Sequence, residues 1–208
     1  MEPVRKNRTE SKKEETKKKI ISVAVDLFNR QGFDRTTVEQ IAEEADVAKG
    51  TIFNHFPAKE AIVHEYVQIA LRDTGTEAVS KLERLPDTRS RLTVLLRQLL
   101  QWFENNLHED ILKKYMVYMM QRSLEALGDE NMRSGFNNIL TPVIRIGQED
   151  GEIRRDIPAE ELSNHLEWLS ASMMMAWLAF PEKSLTDILD REIDLFLSGA
   201  VVRPAQNM

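Results

Sequence analysis

The chain has 208 residues, a formal net charge of −6, 42% hydrophobic and 30% charged residues, and no Cys. That length supports one domain, or a small one joined to a larger, with a core that needs no covalent staples. Zero Cys excludes disulfide frameworks, thiol nucleophiles and thiolate metal sites, and the acidic balance speaks at first against nucleic acid, whose phosphates are neutralised by Lys and Arg.

The first 20 residues carry eight Lys and Arg and no apolar run before Ile20, so no signal-peptide core is expected. The longest strongly apolar stretch, 166–180, is interrupted by Glu167 and falls short of the roughly 18 residues of a membrane span. A soluble cytoplasmic protein without a membrane partner is expected. Gly and Pro total 15 and punctuate long segments of three-to-four-residue apolar periodicity, while period-two alternation is lacking. The fold class read from this pattern is all-α.

In chain order, residues 1–15 read as a polar, basic, flexible arm, although Ser11 to Glu14 has capping-box spacing. A first helix is expected from Thr16 to Gln31, with Ile20, Ile21, Ala24, Val25, Leu27 and Phe28 on its apolar face and Gly32 as its stop. Thr37 caps a short helix bearing Val38, Ile41, Ala42 and Ala45. Asp46 and Val47 make a turn, and a further short segment runs from Ala48 to Phe56, ended by Pro57. Longer helices follow at about 58–83, 88–107, 109–127 and 130–150, the last expected to kink at Pro142. Pro158 opens a helix that stops before Pro181, and Ser184 caps a final one reaching Ser198 and Gly199.

Two short helices joined by a tight turn are the geometry that lets the second enter a major groove while the first crosses the backbone. Within Thr36 to Lys59, Ile41, Ala42, Ala45, Val47, Ile52 and Phe56 are spaced to pack such an elbow. Lys49, Gly50, Thr51, Asn54 and His55 on the second helix supply donors and small side chains suited to phosphates and base edges. An ordinary helical hairpin with a polar surface has the same spacing, so geometry alone leaves both readings open.

Here the chain resembles the TetR family of bacterial transcriptional regulators. The matching residues are Leu27-Phe28, Gly32-Phe33, Thr36-Thr37, Ile41-Ala42, Val47-Ala48-Lys49-Gly50-Thr51-Ile52-Phe53, Phe56 and Lys59-Glu60. The resemblance implies a three-helix DNA-binding unit at 16–60 joined to a ligand-binding and dimerisation bundle at 61–208. It also implies phosphate contacts from Thr36 or Thr37 and Lys59, with Lys49, Gly50, Thr51, Asn54 and His55 on the recognition helix. Three positions depart from the family pattern: Ala48 where Ser commonly caps, Phe53 where a Tyr hydroxyl commonly reaches a phosphate, and Asp46 where Gly is frequent. Phe53 is assigned to van der Waals or stacking contact with the sugar-phosphate backbone, or to core packing.

Residues 1–60 hold 12 basic and 11 acidic residues, against 16 and 23 in the remainder. The acidity therefore belongs to the C-terminal part, and the basic arm is a candidate for contact with an adjacent minor groove, with a loose solvated tail as the alternative. Trp102, Phe103, Tyr115, Met119, Phe136, Trp168, Met174 and Trp177 are candidate walls of a pocket for a small apolar or aromatic effector, since Met and aromatic side chains fill irregular apolar space. Ordinary core packing is the alternative. Apolar residues on more than one side of the last two helices call for cover on more than one side. Leu162, Leu166, Leu169, Met173, Leu189, Ile193 and Phe196 are the candidate interface of a homodimer, which would present two recognition helices to a palindromic double-stranded operator.

Enzyme chemistry is not expected. His55, His64, His108 and His165 show neither His-x-x-x-His nor Glu-x-x-His spacing, and no phosphate loop or nucleophile elbow occurs. His108-Glu109-Asp110 reads as a helix cap. No cofactor or metal site is expected. The expected function is a DNA-binding repressor released by an effector, with a helical ligand-binding or protein-interaction module that no longer reads DNA as the alternative.

Overall fold

The computed structural model describes residues 8–125, 135–180, 182 and 184–200. Among them are nine helices: α1 (Arg8–Gln31), α2 (Val38–Glu44), α3 (Lys49–His55), α4 (Lys59–Leu82), α5 (Thr88–Asn106), α6 (Glu109–Glu125), α7 (Asn137–Glu149), α8 (Ala159–Ala179) and α9 (Leu185–Ala200). None of these is long and apolar enough to cross a membrane.

Two compact units emerge. The first comprises the chain through Val67 together with 107–118, a stretch that the linear reading assigned to the C-terminal part. Its core is built where the apolar stripe of α1 (Ile20, Ala24, Leu27, Phe28) meets Phe33, Ile41, Ala45, Ile52, Phe56, Ile62 and Ile111, all buried. Phe28 and Phe33 pack with ring centroids 4.8 Å apart. The turn between them is closed by Gly32 at φ +89°, whose N–H returns to Phe28 O at 2.9 Å. Segment 107–118 is tied in where Asp110 Oδ2 accepts from Phe33 N at 3.2 Å and Lys114 pairs with Asp34 at 2.9 Å.

Residues 8–15, expected in a loose arm, instead continue α1, while residues 1–7 lie outside the described residues. The segment is rich in Lys and Glu, good helix formers, and Thr16 Oγ1 donates to Lys12 O at 2.9 Å within it. Apolar periodicity could not mark this start because none of residues 10–15 is buried.

The second unit holds 68–106 and the chain from Met119 onward. In it α7 packs on α8, α8 on α9, and α5 on α7 and α9. Leu92, Leu95, Leu140, Ile144, Leu166, Leu189 and Ile193 fill its centre. Arg91 is buried at one end, its Nη1 on Asp150 at 2.7 Å and its Nη2 donating to Leu85 O at 3.1 Å. Pro142 lies inside α7 without ending it. Ser184 caps α9, its Oγ accepting from Asp187 N at 3.3 Å. Of the helix expected at about 130–150, residues 130–134 lie outside the described residues, and α7 opens at Asn137.

Candidate nucleic-acid interface

The expected elbow forms. Thr37 caps α2: its Oγ1 accepts from Gln40 N at 3.1 Å, and its own N–H donates to Gln40 Oε1 at 2.9 Å, completing a reciprocal capping box. Ile41, Ala42, Ala45, Ile52 and Phe56 are buried against one another and Val47 is half-buried. The chain reverses at Asp46, whose φ of +52° places a side-chain-bearing residue in the left-handed region. Ala48 then precedes α3 with extended dihedrals and gives no side-chain cap.

On α3 the inward residue is Ile52, and Lys49, Gly50, Phe53 and Asn54 face solvent. Phe53 is 48% exposed, so core packing does not explain it, and Lys49 Nζ sits 5.8 Å from its ring centroid. A Cβ added at Gly50 would meet nothing within 4 Å, and the residue has no positive φ. Neither space nor backbone conformation in the free protein calls for glycine there. Thr51 and His55 are half-buried. Burial first, and then the charges of Lys13 and Lys17, hold the His55 imidazole below its ordinary pKa.

Two expected phosphate contacts are used elsewhere. Thr36 is 1% exposed; its Oγ1 donates to Gly32 O at 2.9 Å and accepts from Gln31 Nε2 at 3.2 Å. Lys59 Nζ donates to Phe33 O at 2.8 Å and Thr36 O at 2.6 Å and lies 4.4 Å from the Phe33 ring centroid. Burial pushes its ammonium below the usual lysine range. Both residues therefore hold the α1–α2 loop in the free protein. Thr37 remains exposed. Sequence reading missed Glu39, whose carboxylate binds Lys49 and is held below its usual range chiefly by that hydrogen bond. The signal for it was faint: an acid ten positions before a base, across a turn of unknown angle.

The pocket candidates divide. Tyr115 belongs to the first unit, where it stacks on His64 of α4 with centroids 6.3 Å apart. In the second unit Phe103, Phe136 and Met174 are buried and Trp102, Met119 and Trp177 half-buried, but Trp168 is 51% exposed and is no interior wall of this chain. The dimer candidates face inward instead: Leu162, Leu166, Met173, Leu189, Ile193 and Phe196 are buried in the chain's own core, and Leu169 is half-buried. The apolar surface left over lies round the helices from them. On α8 it follows Trp168 and Met175, with Phe180 at the C-cap, and on α9 it follows half-buried Ile188 and Leu195, the latter 62% exposed.

Residues 20–66 match the family model described as bacterial regulatory proteins, tetR family. The chain is 26% identical over 213 aligned positions to the transcriptional regulator TtgR of Pseudomonas putida, covering 95% of this chain and 97% of the relative. It is 23% identical over 151 positions to the transcriptional repressor KstR2 of Rhodococcus jostii, covering 68% and 69%. Among solved structures, the TetR-family transcriptional repressor FadR of Thermus thermophilus, in complex with lauroyl-CoA, aligns with a TM-score of 0.73 at 26% identity over 92% of this chain and 98% of that one. With a capped α2, a tight turn and an outward-facing α3, residues 20–66 match the tetR family of bacterial regulatory proteins, and the chain is similar over most of its length to transcriptional regulators of that family.

Proposed function

We propose that the chain is a cytoplasmic repressor that binds a palindromic operator as a homodimer and is released by a small apolar or aromatic effector. The observation that carries the DNA reading is Gly50. A helical glycine costs up to about 1 kcal/mol relative to Ala, and nothing in the free protein requires one at this position. Close approach of an external backbone does, and a sugar-phosphate strand beside α3 supplies it. Exposed Lys49, Phe53, Asn54 and Thr37 surround that point, with half-buried Thr51 and His55 beside them; Lys49 must exchange Glu39 for phosphate.

Dimerisation is supported by the leftover face of α8 and α9 around Trp168, Met175 and Leu195. The apolar interior of the second unit supports an effector site, as does the acyl-CoA held by the related FadR. α4 runs unbroken from Lys59 to Leu82, with 59–67 in the first unit and 68–82 in the second. An effector that favours one position of α4 would shift the recognition helices, and it does so only through a difference in affinity between the two states.

Selection of random-sequence duplexes by the full chain tests the reading. The wild type should enrich a two-fold symmetric sequence with half-sites about one helical turn apart, and folded Gly50→Glu should enrich nothing. No enrichment by the wild type would favour a helical module that does not read DNA.

A further inference from the structure

The interior of the second unit is mainly apolar, and Thr88, Arg91, Asn137 and Ser163 are its buried polar residues. Asn137, at the start of α7, is 7% exposed, and its Nδ2 donates to Asn164 Oδ1 of α8 at 2.6 Å. Its own Oδ1 is sealed from solvent and has no hydrogen-bond partner among the described residues. Exchanging the amide oxygen and nitrogen of both residues does not remove the defect, because Asn164 would then donate to Asn137 Oδ1 and leave the Asn137 amino group unbonded. One half of a buried carboxamide is orphaned in either assignment, which is destabilising in the free protein. A third carboxamide stands close by along the chain: a Cβ built on Gly135 would fall 2.1 Å from Gln68 Oε1, so the Gln68 side chain lies against that main chain. Buried Phe136 lies between Gly135 and Asn137 in sequence.

We propose that Asn137, Asn164 and Gln68 form the polar end of the effector site and that they select a ligand with a neutral hydrogen-bonding head, such as a hydroxyl or phenol, on an apolar body. This deepens the effector reading above and rests on it. Carboxamides offer both donor and acceptor without charge, and neither Asn is bonded to a charged side chain among the described residues. An ionised head would be desolvated there without a counter-charge. Gln68 is the first residue of the second unit on α4, so a ligand held by it acts directly on the helix shared with the DNA-binding unit.

Binding of 4-propylphenol, 4-propylanisole and 4-propylbenzoate to the full chain, followed by tryptophan fluorescence, tests the assignment. The phenol should bind about tenfold or more tightly than the anisole, the difference of one buried hydrogen bond, and the benzoate should bind weakest. Asn137→Leu should raise the melting temperature of the free protein, because the orphaned amide is gone, and should abolish the preference for the phenol. Gln68→Met should reduce the preference with the fold retained. If phenol and anisole bind alike and Asn137→Leu changes neither, Asn137 is an interhelical clamp and the polar-end assignment fails while the pocket stands. If none of the three binds, the apolar effector pocket itself is overturned.

Discussion

At Asp46 the backbone occupies the left-handed region, which costs a residue with a Cβ roughly 1 kcal/mol, somewhat less for Asp. At Ala48 a helix starts with no side-chain acceptor for its free amides. Ala48→Ser should therefore stabilise the protein by about 0.5–2 kcal/mol, read as a rise in the denaturation midpoint at unchanged slope. Lys59 offers a sharper contrast, because its ammonium satisfies Phe33 O and Thr36 O inside the protein. Lys59→Met should cost about 1–3 kcal/mol in thermal or urea unfolding, whereas a pure phosphate ligand would cost affinity and no stability. His55 gives a pH dependence whose sign follows from its depressed pKa. The unfolded chain takes up a proton that the folded state resists, so stability is full above the ordinary histidine value of about 6.5 and falls as the pH drops through it. His55→Gln should flatten that fall in melts between about pH 7 and 5.5. The departures at Asp46 and Ala48 were legible in the sequence because each breaks a rule of turn or cap chemistry. The use of Thr36 and Lys59 was not, since a donor reads the same whether it meets a phosphate or a carbonyl until the loop is folded round it.

Helix α3 has a buried side fixed by Ile52 and an exposed side that carries Gly50. Gly50→Ala should raise stability by up to about 1 kcal/mol and lower duplex affinity, a combination that no packing role would produce; paired melting and binding titrations check both. The α2–α3 elbow was readable because its packing residues are few, local and periodic, and because Thr37 stands where a helix cap is expected; the reciprocal bond from Gln40 emerged only in the structure. Helices α8 and α9 were harder. They are apolar on more than one side, and which stripe meets the core is decided by α5 and α7, elements distant in sequence. Leu162, Leu166, Leu189 and Ile193 took the inner positions, leaving Trp168, Met175 and Leu195 outside. Periodicity finds such stripes without ranking them. The Asn137–Asn164 pair was equally hidden, because an Asn at the edge of a helix reads as surface until the neighbouring helix closes over it.

For the whole molecule the net charge of −6 is a misleading average, because 1–60 is nearly balanced and the acidity lies beyond. With Lys59 and Thr36 occupied internally, each copy offers few phosphate ligands, and in the proposed homodimer affinity comes from two copies acting on one duplex. The direct test measures affinity for the selected duplex across salt concentrations, for the wild type and for the double variant Trp168→Glu with Leu195→Glu, both sites being exposed in the single chain. The variant should be folded and monomeric in sedimentation, with the slope of log affinity against log salt cut to about half and affinity reduced at least about a hundredfold. A monomeric variant that retained the wild-type affinity and slope would contradict the proposed binding by two copies.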